Sequence, residues 1–201
     1  MLDVRVSIIR GSFSLLAEIR EEGFICLSGP NGSGKSSLLN VIAGNLRADH
    51  GYVKVNDADI TNSPIERRGV VLVNQDSLIP HLDVEKHLRW GARVRRVDLD
   101  EAYVEGAKER LGIAYSGRVD KLSLGMRERV VLATALLSNP QVILVDEAFS
   151  NIDNQDVFVP AFREMCIAQK VDSVHTTQDK ADARVSDHHY EIVGGQVSKV
   201  F

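Results

Sequence analysis

The stretch that most constrains this chain is Gly29–Ser37, which reads GPNGSGKSS and follows the apolar run Phe24–Leu27. Its spacing is G-x-x-x-x-G-K-S, the pattern of a phosphate-binding loop between a strand and a helix. The glycines allow a tight turn that points successive backbone N–H groups at one anion. Lys35 adds a positive charge for the terminal phosphates, and the Ser36 hydroxyl can ligate Mg²⁺. A Gly/Ser-rich stretch can also be a plain turn, but the strand–loop–helix context favours a nucleoside triphosphate site.

Bulk composition indicates one globular domain. The 201 residues suffice for a sizeable core, and the fractions of hydrophobic residues (44%) and charged residues (26%) are ordinary. The formal net charge of −4 gives no support for a nucleic-acid-binding surface. No apolar run approaches the ~20 residues that span a bilayer. The distant cysteines Cys26 and Cys166 favour a reducing cytosol, and the N-terminus lacks a signal-peptide pattern.

Apolar patterning predicts an α/β domain with a helical stretch inserted between two buried strands. The strands predicted up to this second buried strand are 2–9, 13–19, 24–27, 51–55, 70–73 and 142–145. Within the inserted stretch, 77–139, helices are predicted to begin at the capping residues Asp83, Asp100 and Ser123. The chain is completed by the segments 154–170, 171–175 and 179–186 and by two strands around Gly194–Gly195.

A second candidate for nucleotide chemistry is Val142–Glu147, which reads VILVDE and places two acids at the end of a buried strand. Asp146 there can hold the hydrated Mg²⁺ beside a nucleotide. The next residue, Glu147, can polarise the water that attacks the γ-phosphate. Two adjacent acids can also be ordinary loop residues, but the phosphate loop in the same chain favours the catalytic interpretation.

In chain order, these motifs resemble those of the nucleotide-binding subunit of an ATP-binding cassette (ABC) transporter, over essentially the full length. Gly29–Ser37 resembles that family's Walker A motif and Val142–Asp146 its Walker B motif. Leu122–Met126, which reads LSLGM, resembles the LSGGQ signature, and Ser150–Asp153 resembles the D-loop. The ordered set is far more specific than any single member.

The resemblance implies a P-loop NTPase fold of the α/β class. Such a fold has a RecA-like, mostly parallel sheet core, an antiparallel N-terminal β part and a helical insertion subdomain. A single ABC ATPase domain is expected to fill residues 1–201. The catalytic α/β core is expected at 1–76 and 140–201, and the helical subdomain that carries the signature at 77–139.

The resemblance also implies roles for individual residues. Glu147 matches the family's catalytic base, Gln75 its Q-loop glutamine and His175 its switch histidine, which contacts the γ-phosphate. The implied cofactors are ATP and Mg²⁺, with the metal on Ser36, Gln75 and Asp146. The residues expected to contact ATP are Gly29, Pro30, Asn31, Gly32, Ser33, Gly34, Lys35, Ser36, Ser37, Ser123, Gly125 and Asp153.

Some positions depart from the family's usual pattern. Leu124 stands where the signature usually has glycine, and Met126 where glutamine is common, while Ser123 and Gly125 remain. Ala148 replaces a proline that often follows the catalytic glutamate. A signature that ends in Gly-Met before basic residues also resembles some export-type subunits, so the direction of transport stays open.

The histidines and aromatic residues leave alternatives open. The run that starts at His175 reads as if one residue were added to the switch, and a plain strand-end histidine is the alternative. The two threonines that follow it are expected to matter less. Phe13 is the nearest candidate for stacking on adenine, with burial in the core as the alternative. His188 and His189 are expected at the surface.

The implied mechanism needs two chains. Each would bind MgATP, and the two would pair head to tail so that Ser123 and Gly125 of one close over the phosphate held by the other. Gln75 and the helices after it are expected to pass this motion to a membrane partner. The predicted function is an ATP-binding and ATP-hydrolysing subunit that powers solute transport. Uptake is favoured because 64–84 and 147–153 resemble importer subunits.

The implied partners are integral membrane transporter subunits, a second copy or a related ATPase subunit, and a solute-binding protein as a further candidate, with no nucleic acid. The implied location is cytoplasmic, peripheral on the inner face of the cell membrane. The alternatives are an export-type subunit and a soluble ABC ATPase that acts outside transport. A soluble ATP-driven clamp would need a long coiled coil or a basic face, and 77–121 is too short and lacks sustained heptads.

Overall fold

The computed structural model describes residues 1–201, whose strands form a single ten-stranded sheet. The strands are β1 Leu2–Arg10, β2 Phe13–Glu21, β3 Phe24–Ser28, β4 His50–Val55, β5 Ala58–Asp59, β6 Val70–Val73, β7 Val142–Asp146, β8 Asp172–Thr177, β9 His188–Val193 and β10 Gln196–Lys199. The α-helices are α1 Lys35–Ala43, α2 Val84–Arg95, α3 Glu101–Arg110, α4 Leu124–Leu137 and α5 Gln155–Gln169. Short 3₁₀ helices lie at Ile65–Arg67, Val119–Lys121, Ala148–Asn151 and Lys180–Val185.

The sheet has an antiparallel part and a parallel part. Its strand order is β5-β4-β1-β2-β10-β9-β3-β8-β7-β6. β1 pairs antiparallel with β2 and β4, whereas β3, β6, β7, β8 and β9 pair in parallel. β10 runs antiparallel to β9 and meets β2 through the single pair Gln196–Leu16, which joins the two parts. The predicted fold class, a mostly parallel core with an antiparallel N-terminal part, is confirmed.

Two apolar layers, one on each face of the sheet, hold the fold together. In β3, Phe24 packs into the layer that contains residues of α2, α3, α4 and α5, whereas Ile25 packs into the layer that contains α1. In β7, Ile143 and Leu144 likewise belong to opposite layers. Because both faces are covered, these strands read as continuous apolar runs. Each fully buried aliphatic side chain contributes about 1.5–3 kcal/mol.

The helix boundaries follow the capping residues that the sequence indicates. The Asp83 carboxylate accepts a hydrogen bond from the Lys86 N–H at 2.9 Å, and the Asp100 carboxylate accepts one from Ala102 at 3.2 Å. Such a side-chain cap stabilises a helix start by about 1 kcal/mol. Gly44 ends α1 in the left-handed conformation, with φ of 92°, which glycine adopts without strain.

The stretch between β6 and β7 carries three helices that pack on one another. α2 and α3 both contact α4, which also contacts β6 and the 3₁₀ helix Ala148–Asn151. The buried His87 imidazole links α2 to α4 through a 2.8 Å hydrogen bond with the Thr134 hydroxyl. No helix combines the length and the apolar character that crossing a membrane requires. The division into a core of 1–76 and 140–201 and a subdomain of 77–139 stays a prediction.

The end of the chain differs from the sequence prediction in two ways. β8 extends to Thr177, two residues beyond the expected end, so His175 lies inside the strand. His189 is not at the surface: it is 3% exposed, and its Nε2 lies 2.7 Å from the Ser28 hydroxyl. The reason is that β9 pairs with β3, opposite Cys26, which places His189 inside the sheet. His188 is partly exposed and pairs with Glu21.

Candidate nucleotide-binding site

The loop Gly29–Ser37 connects β3 to α1, as the phosphate-loop pattern requires. Gly34 stands just before the helix in the left-handed region, with φ of 108°. A Cβ on Gly34 would lie 2.8 Å from the Phe13 ring, so both the conformation and the space exclude a side chain. The N-terminus of α1 therefore opens toward the loop, where its unpaired N–H groups and positive dipole end favour an anion.

Lys35 places its charge within this loop. The side chain is 4% exposed, and its ammonium group donates hydrogen bonds to the carbonyls of Gly29 at 2.8 Å and Pro30 at 3.1 Å. It lies 3.6 Å from the Glu147 carboxylate. A buried charge is tolerated only when it is paired and hydrogen-bonded, and these contacts meet that requirement. A cation held in this way can reach an anion at the loop.

A cavity of about 610 Å³ lies in front of the loop, a volume within the usual range for small-molecule sites. It is at the carboxyl ends of parallel strands, where α/β sheets bind ligands. Most of the predicted contacts meet there although they come from distant parts of the chain. The lining consists of Phe13, Asn31, Gly32, Gly34, Lys35, Ser36, Ser37, Asn74, Gln75, Asp76, Asp146 and Glu147.

The three predicted metal ligands, Ser36, Gln75 and Asp146, all line this cavity. A hydroxyl, an amide and one carboxylate are oxygen donors that suit Mg²⁺, which is commonly held by one or two carboxylates plus substrate phosphates. No group of three or more His, Cys, Asp or Glu side chains could hold a metal ion on its own. The donor set therefore fits a cation that is shared with a phosphate group.

A hydrogen-bond network orients the two acids. The Thr176 hydroxyl donates to the Asp146 carboxylate at 2.8 Å and accepts from the Glu147 N–H at 3.0 Å. Glu147 has φ of 57°, a left-handed conformation that costs about 1–2 kcal/mol in a residue other than glycine. The Ser150 hydroxyl donates to the Glu147 carbonyl at 2.7 Å and supports this turn. These contacts of Thr176 are not visible in the sequence, because a threonine inside a strand carries no motif.

Comparisons with known proteins identify the family. The profile of the family described as ABC transporter matches residues 14–150. The molybdate/tungstate import ATP-binding protein WtpC of Archaeoglobus fulgidus is 40% identical over 189 residues, which cover 90% of this chain and 78% of that protein. The chain belongs to the ABC transporter family, as an ATP-binding subunit. The sn-glycerol-3-phosphate import ATP-binding protein UgpC of Escherichia coli K12 is 30% identical over 92% of this chain, which spans 54% of that relative.

Solved structures support the same fold. The structure titled as an ATP binding subunit of an ABC transporter has a TM-score of 0.80, with 22% identity, over 99% of this chain and 90% of that chain. The ATP-binding cassette MJ0796, solved as a dimer bound to ADP and Pi, has a TM-score of 0.80, with 21% identity, over 100% of this chain and 99% of that chain. At this identity the likeness concerns the fold.

The predicted switch histidine does not line the phosphate cavity; it lines a neighbouring cavity of about 460 Å³, as do Glu147 and Gln178. The His175 side chain is 2% exposed and packs against the rings of Phe24 and Phe149, at centroid distances of 4.8 and 5.5 Å. Burial lowers its pKa to about 3, and its Nδ1 has no hydrogen-bond partner. Strand alternation explains the placement, because His175 and Thr176 point to opposite faces of β8. In this structure the His175 side chain therefore does not face the phosphate cavity, and the γ-phosphate contact expected of it stays a prediction.

Gln178, and not His175, is the residue near the end of β8 that contacts the Glu147 carboxylate. It is the first residue after β8, and its side-chain amide nitrogen lies 3.3 Å and 3.5 Å from the two carboxylate oxygens of Glu147. The signal in the sequence that indicates Gln178 is its position directly after a buried strand. The residue that leaves a parallel strand at its carboxyl end reaches the ligand edge of the sheet, whatever its type.

The signature residues of the ABC subunit lie away from the cavity. Neither Ser123, Gly125 nor Asp153 lines it. The Ser123 hydroxyl caps α4 by accepting the Met126 N–H at 3.4 Å. A Cβ on Gly125 would lie 2.6 Å from the Asn151 carbonyl oxygen, so the start of α4 rests on the 3₁₀ helix that follows Glu147. Within one chain, these three predicted nucleotide contacts do not join the phosphate cavity.

Phe13 is the aromatic residue on the cavity wall. It is partly buried, lines the cavity and lies close to Gly34. Its ring is therefore available both to support the loop and to face a ligand. Phe13 is therefore neither fully buried in the core nor fully exposed, and both alternatives, stacking on adenine and packing in the core, remain compatible with its position.

Proposed function

We propose that this chain binds and hydrolyses ATP to power solute uptake through separate membrane subunits. The observation that carries the proposal is the convergence of Lys35, Asp146 and Glu147 on one cavity in front of the phosphate loop. The import ATP-binding proteins among the relatives support uptake over export. The chain would lie on the cytoplasmic face of the membrane, held there by its membrane partners.

The chain's own residues divide the work at the cavity. The loop N–H groups and Lys35 bind the phosphates, and Phe13 packs against the adenine ring. Ser36, Gln75 and Asp146 hold Mg²⁺, which supplies positive charge against the phosphate oxygens when it is bound. Glu147 orients the attacking water and takes up its proton. Thr176 keeps the two acids apart and correctly turned.

A second ATPase chain completes the site. Ser123 and Gly125 lie outside their own chain's cavity, and we propose that they close over the phosphate held by the partner. Asp153, which is exposed beside them in the D-loop, would join the same interface. Closure excludes water and adds N–H and O–H donors around the γ-phosphate. The partner can be a second copy or a related subunit.

The relatives indicate which solutes to test first. Four of the matched proteins are named for molybdate/tungstate import and are 37–40% identical, whereas UgpC, named for sn-glycerol-3-phosphate, is 30% identical. We propose an oxyanion of the molybdate type as the solute class. In cells that carry the gene, its deletion should reduce molybdate or tungstate accumulation and leave sn-glycerol-3-phosphate uptake unchanged. The reverse pattern would reassign the solute class.

The enzymatic part of the proposal is tested by separating binding from turnover. Lys35→Ala should weaken ATP binding by about 10- to 150-fold, because a charged hydrogen-bonding group worth roughly 1.5–3 kcal/mol is lost. Glu147→Gln should keep ATP affinity and lower turnover by about 10²–10⁴-fold, because an amide cannot accept the proton of the attacking water. Lys54→Ala, on the distant strand β4, is the matched control. Unchanged affinity in Lys35→Ala or unchanged turnover in Glu147→Gln would contradict the assignment.

A further inference from the structure

We propose that Gln178 is the positioning residue for the Glu147 carboxylate and that no histidine of this chain takes part in hydrolysis. The inference rests on the proposed function, because it takes Glu147 as the base. It goes further in naming a side chain that the motifs of the sequence do not indicate.

The carboxylate of Glu147 lies between two donors. On one side the Lys35 ammonium is 3.6 Å from Oε1. On the other side the Gln178 amide nitrogen is 3.3 Å from Oε1 and 3.5 Å from Oε2. The amide contact is longer than an ideal hydrogen bond, which is common for catalytic groups before substrate closes on them. An amide nitrogen that approaches both oxygens restricts how the carboxylate can turn.

The side chain of Gln178 has no competing partner, and the carboxylate of Glu147 is not held by the contacts that fix its backbone. Gln178 is exposed, and its side chain has no hydrogen-bond partner other than Glu147. Glu147 is partly exposed and stands in a turn with φ of 57°, whose N–H and carbonyl are fixed by Thr176 and Ser150. The backbone of the base is therefore rigid, and the orientation of its carboxylate depends on Lys35 and Gln178.

The two histidines nearest the site are engaged elsewhere. Neither Gln178 nor any histidine lines the phosphate cavity, but Gln178 contacts Glu147, which does line it. His175 is enclosed by Phe24 and Phe149, and His189 is bonded to the buried Ser28. A glutamine amide offers the same N–H donor as an imidazole and keeps it whatever the pH. The chain can thus perform the positioning step without an ionisable group at this place.

The test compares substitutions at residue 178 in the full chain. Gln178→Ala should lower kcat by about 10- to 100-fold, the cost of a misplaced catalytic group, with little change in ATP affinity. Gln178→Glu should be at least as impaired, because it adds a like charge beside Glu147. Gln178→His should restore most of the activity, because an imidazole N–H replaces the amide donor. Gln196→Ala, an exposed glutamine on β10, is the matched control and should behave as wild type.

His175→Phe provides the opposite arm. It preserves an aromatic ring among Phe24 and Phe149 and should keep kcat within about twofold of wild type, since rings of similar shape repack easily. Wild-type kcat in Gln178→Ala, or loss of kcat in a folded His175→Phe, would overturn the inference. Wild-type turnover in Glu147→Gln would instead overturn the proposed function, so the two failures are distinct.

Discussion

At the scale of single residues, only a few groups hold the two acids, Asp146 and Glu147, in place. Asp146 and Glu147 follow each other at the end of β7, and like charges so close repel each other. The Thr176 hydroxyl makes a different hydrogen bond to each acid: it donates to the Asp146 carboxylate and accepts from the Glu147 backbone N–H. A single hydroxyl therefore helps to hold both acids in position.

Thr176→Val should therefore impair the site although it preserves the shape of the side chain. The Glu147 N–H loses its acceptor, which costs about 1–3 kcal/mol when the group is buried. We expect a lower free energy of unfolding and a lower kcat, measured by urea denaturation and ATP hydrolysis. Thr176→Ser keeps the hydroxyl and is the matched control. Equal stability of Thr176→Val and wild type would show that the contact carries no energy.

His175 makes the stability of the fold depend on pH. Burial lowers its pKa to about 3, whereas a histidine in an unfolded chain titrates near ~6.5. Below that pH the unfolded chain binds a proton that the folded chain does not bind. Stability should therefore fall as the pH falls from ~6.5 toward ~4, by up to ~1.4 kcal/mol per pH unit from this group.

His175→Phe should make that part of the stability curve less steep, while burial of His87, which lowers its pKa to about 4, keeps a slope of its own. The comparison uses urea denaturation at pH ~7 and pH ~5, where the unfolded histidine is respectively mostly neutral and mostly charged. His50→Gln, which changes an exposed histidine on β4, should leave the slope as in wild type. Parallel curves for His175→Phe and wild type would mean that this imidazole is not neutral in the fold.

At the scale of elements, α4 packs tightly against the 3₁₀ helix Ala148–Asn151 beside the site, and we call this contact the joint. A Cβ on Gly125 would lie 2.6 Å from the Asn151 carbonyl oxygen, a distance that backbone cannot absorb without moving. Ser123 caps the same end of α4, so the start of this helix is fixed by its own cap and by the joint.

Gly125→Ala should therefore destabilise the chain by about 1–3 kcal/mol, the usual cost of overpacking. Gly106→Ala is the matched control, because Gly106 is in α3 and a Cβ there meets nothing within 4 Å. That change should stabilise the chain by about 0.5–1 kcal/mol through helix propensity. Urea denaturation measures both, and a stabilised Gly125→Ala would mean that the joint is not tight.

Several elements could be predicted from the sequence because their signals are local. The apolar runs of β6 and β7 and the caps Asp83 and Asp100 act within a few residues of themselves. The end of β8 could not be predicted in this way. Its last two residues are threonines whose hydroxyls are satisfied by Asp146 and Asp182, partners that are distant or outside the strand. Nothing local in the sequence shows these partners, so the predicted strand ends at His175 although β8 continues to Thr177.

At the scale of the whole molecule, one chain builds the phosphate cavity, and its own Ser123 and Gly125 do not line it. Leu124, beside Ser123, is 55% exposed at the start of α4. Large apolar side chains left exposed at such a position suit a surface that another chain covers. The resemblance implied this division before the structure, but only the fold shows how far the signature lies from its own phosphate loop.

Two inactive variants should therefore restore one site when they are mixed. Lys35→Ala damages the phosphate loop and spares the signature. Leu124→Arg obstructs closure over the partner's phosphate and, unlike a change of Ser123, keeps the cap of α4. Mixed dimers contain one intact loop facing one intact signature, so an ATP-dependent cross-link or partial ATPase activity should return. Neither signal in the mixture, at concentrations where wild type gives both, would favour a self-contained monomer.

The joint between Gly125 and Asn151 has a consequence for the pair of sites. In a head-to-tail pair, each chain's 3₁₀ helix begins at the acid of its own site, and the same helix supports the signature that covers the other site. A change in the turn at Glu147 would therefore be passed to the start of α4 through the 3₁₀ helix Ala148–Asn151. In such a pair the two sites would be mechanically coupled, so that hydrolysis at one site would change how the other is covered.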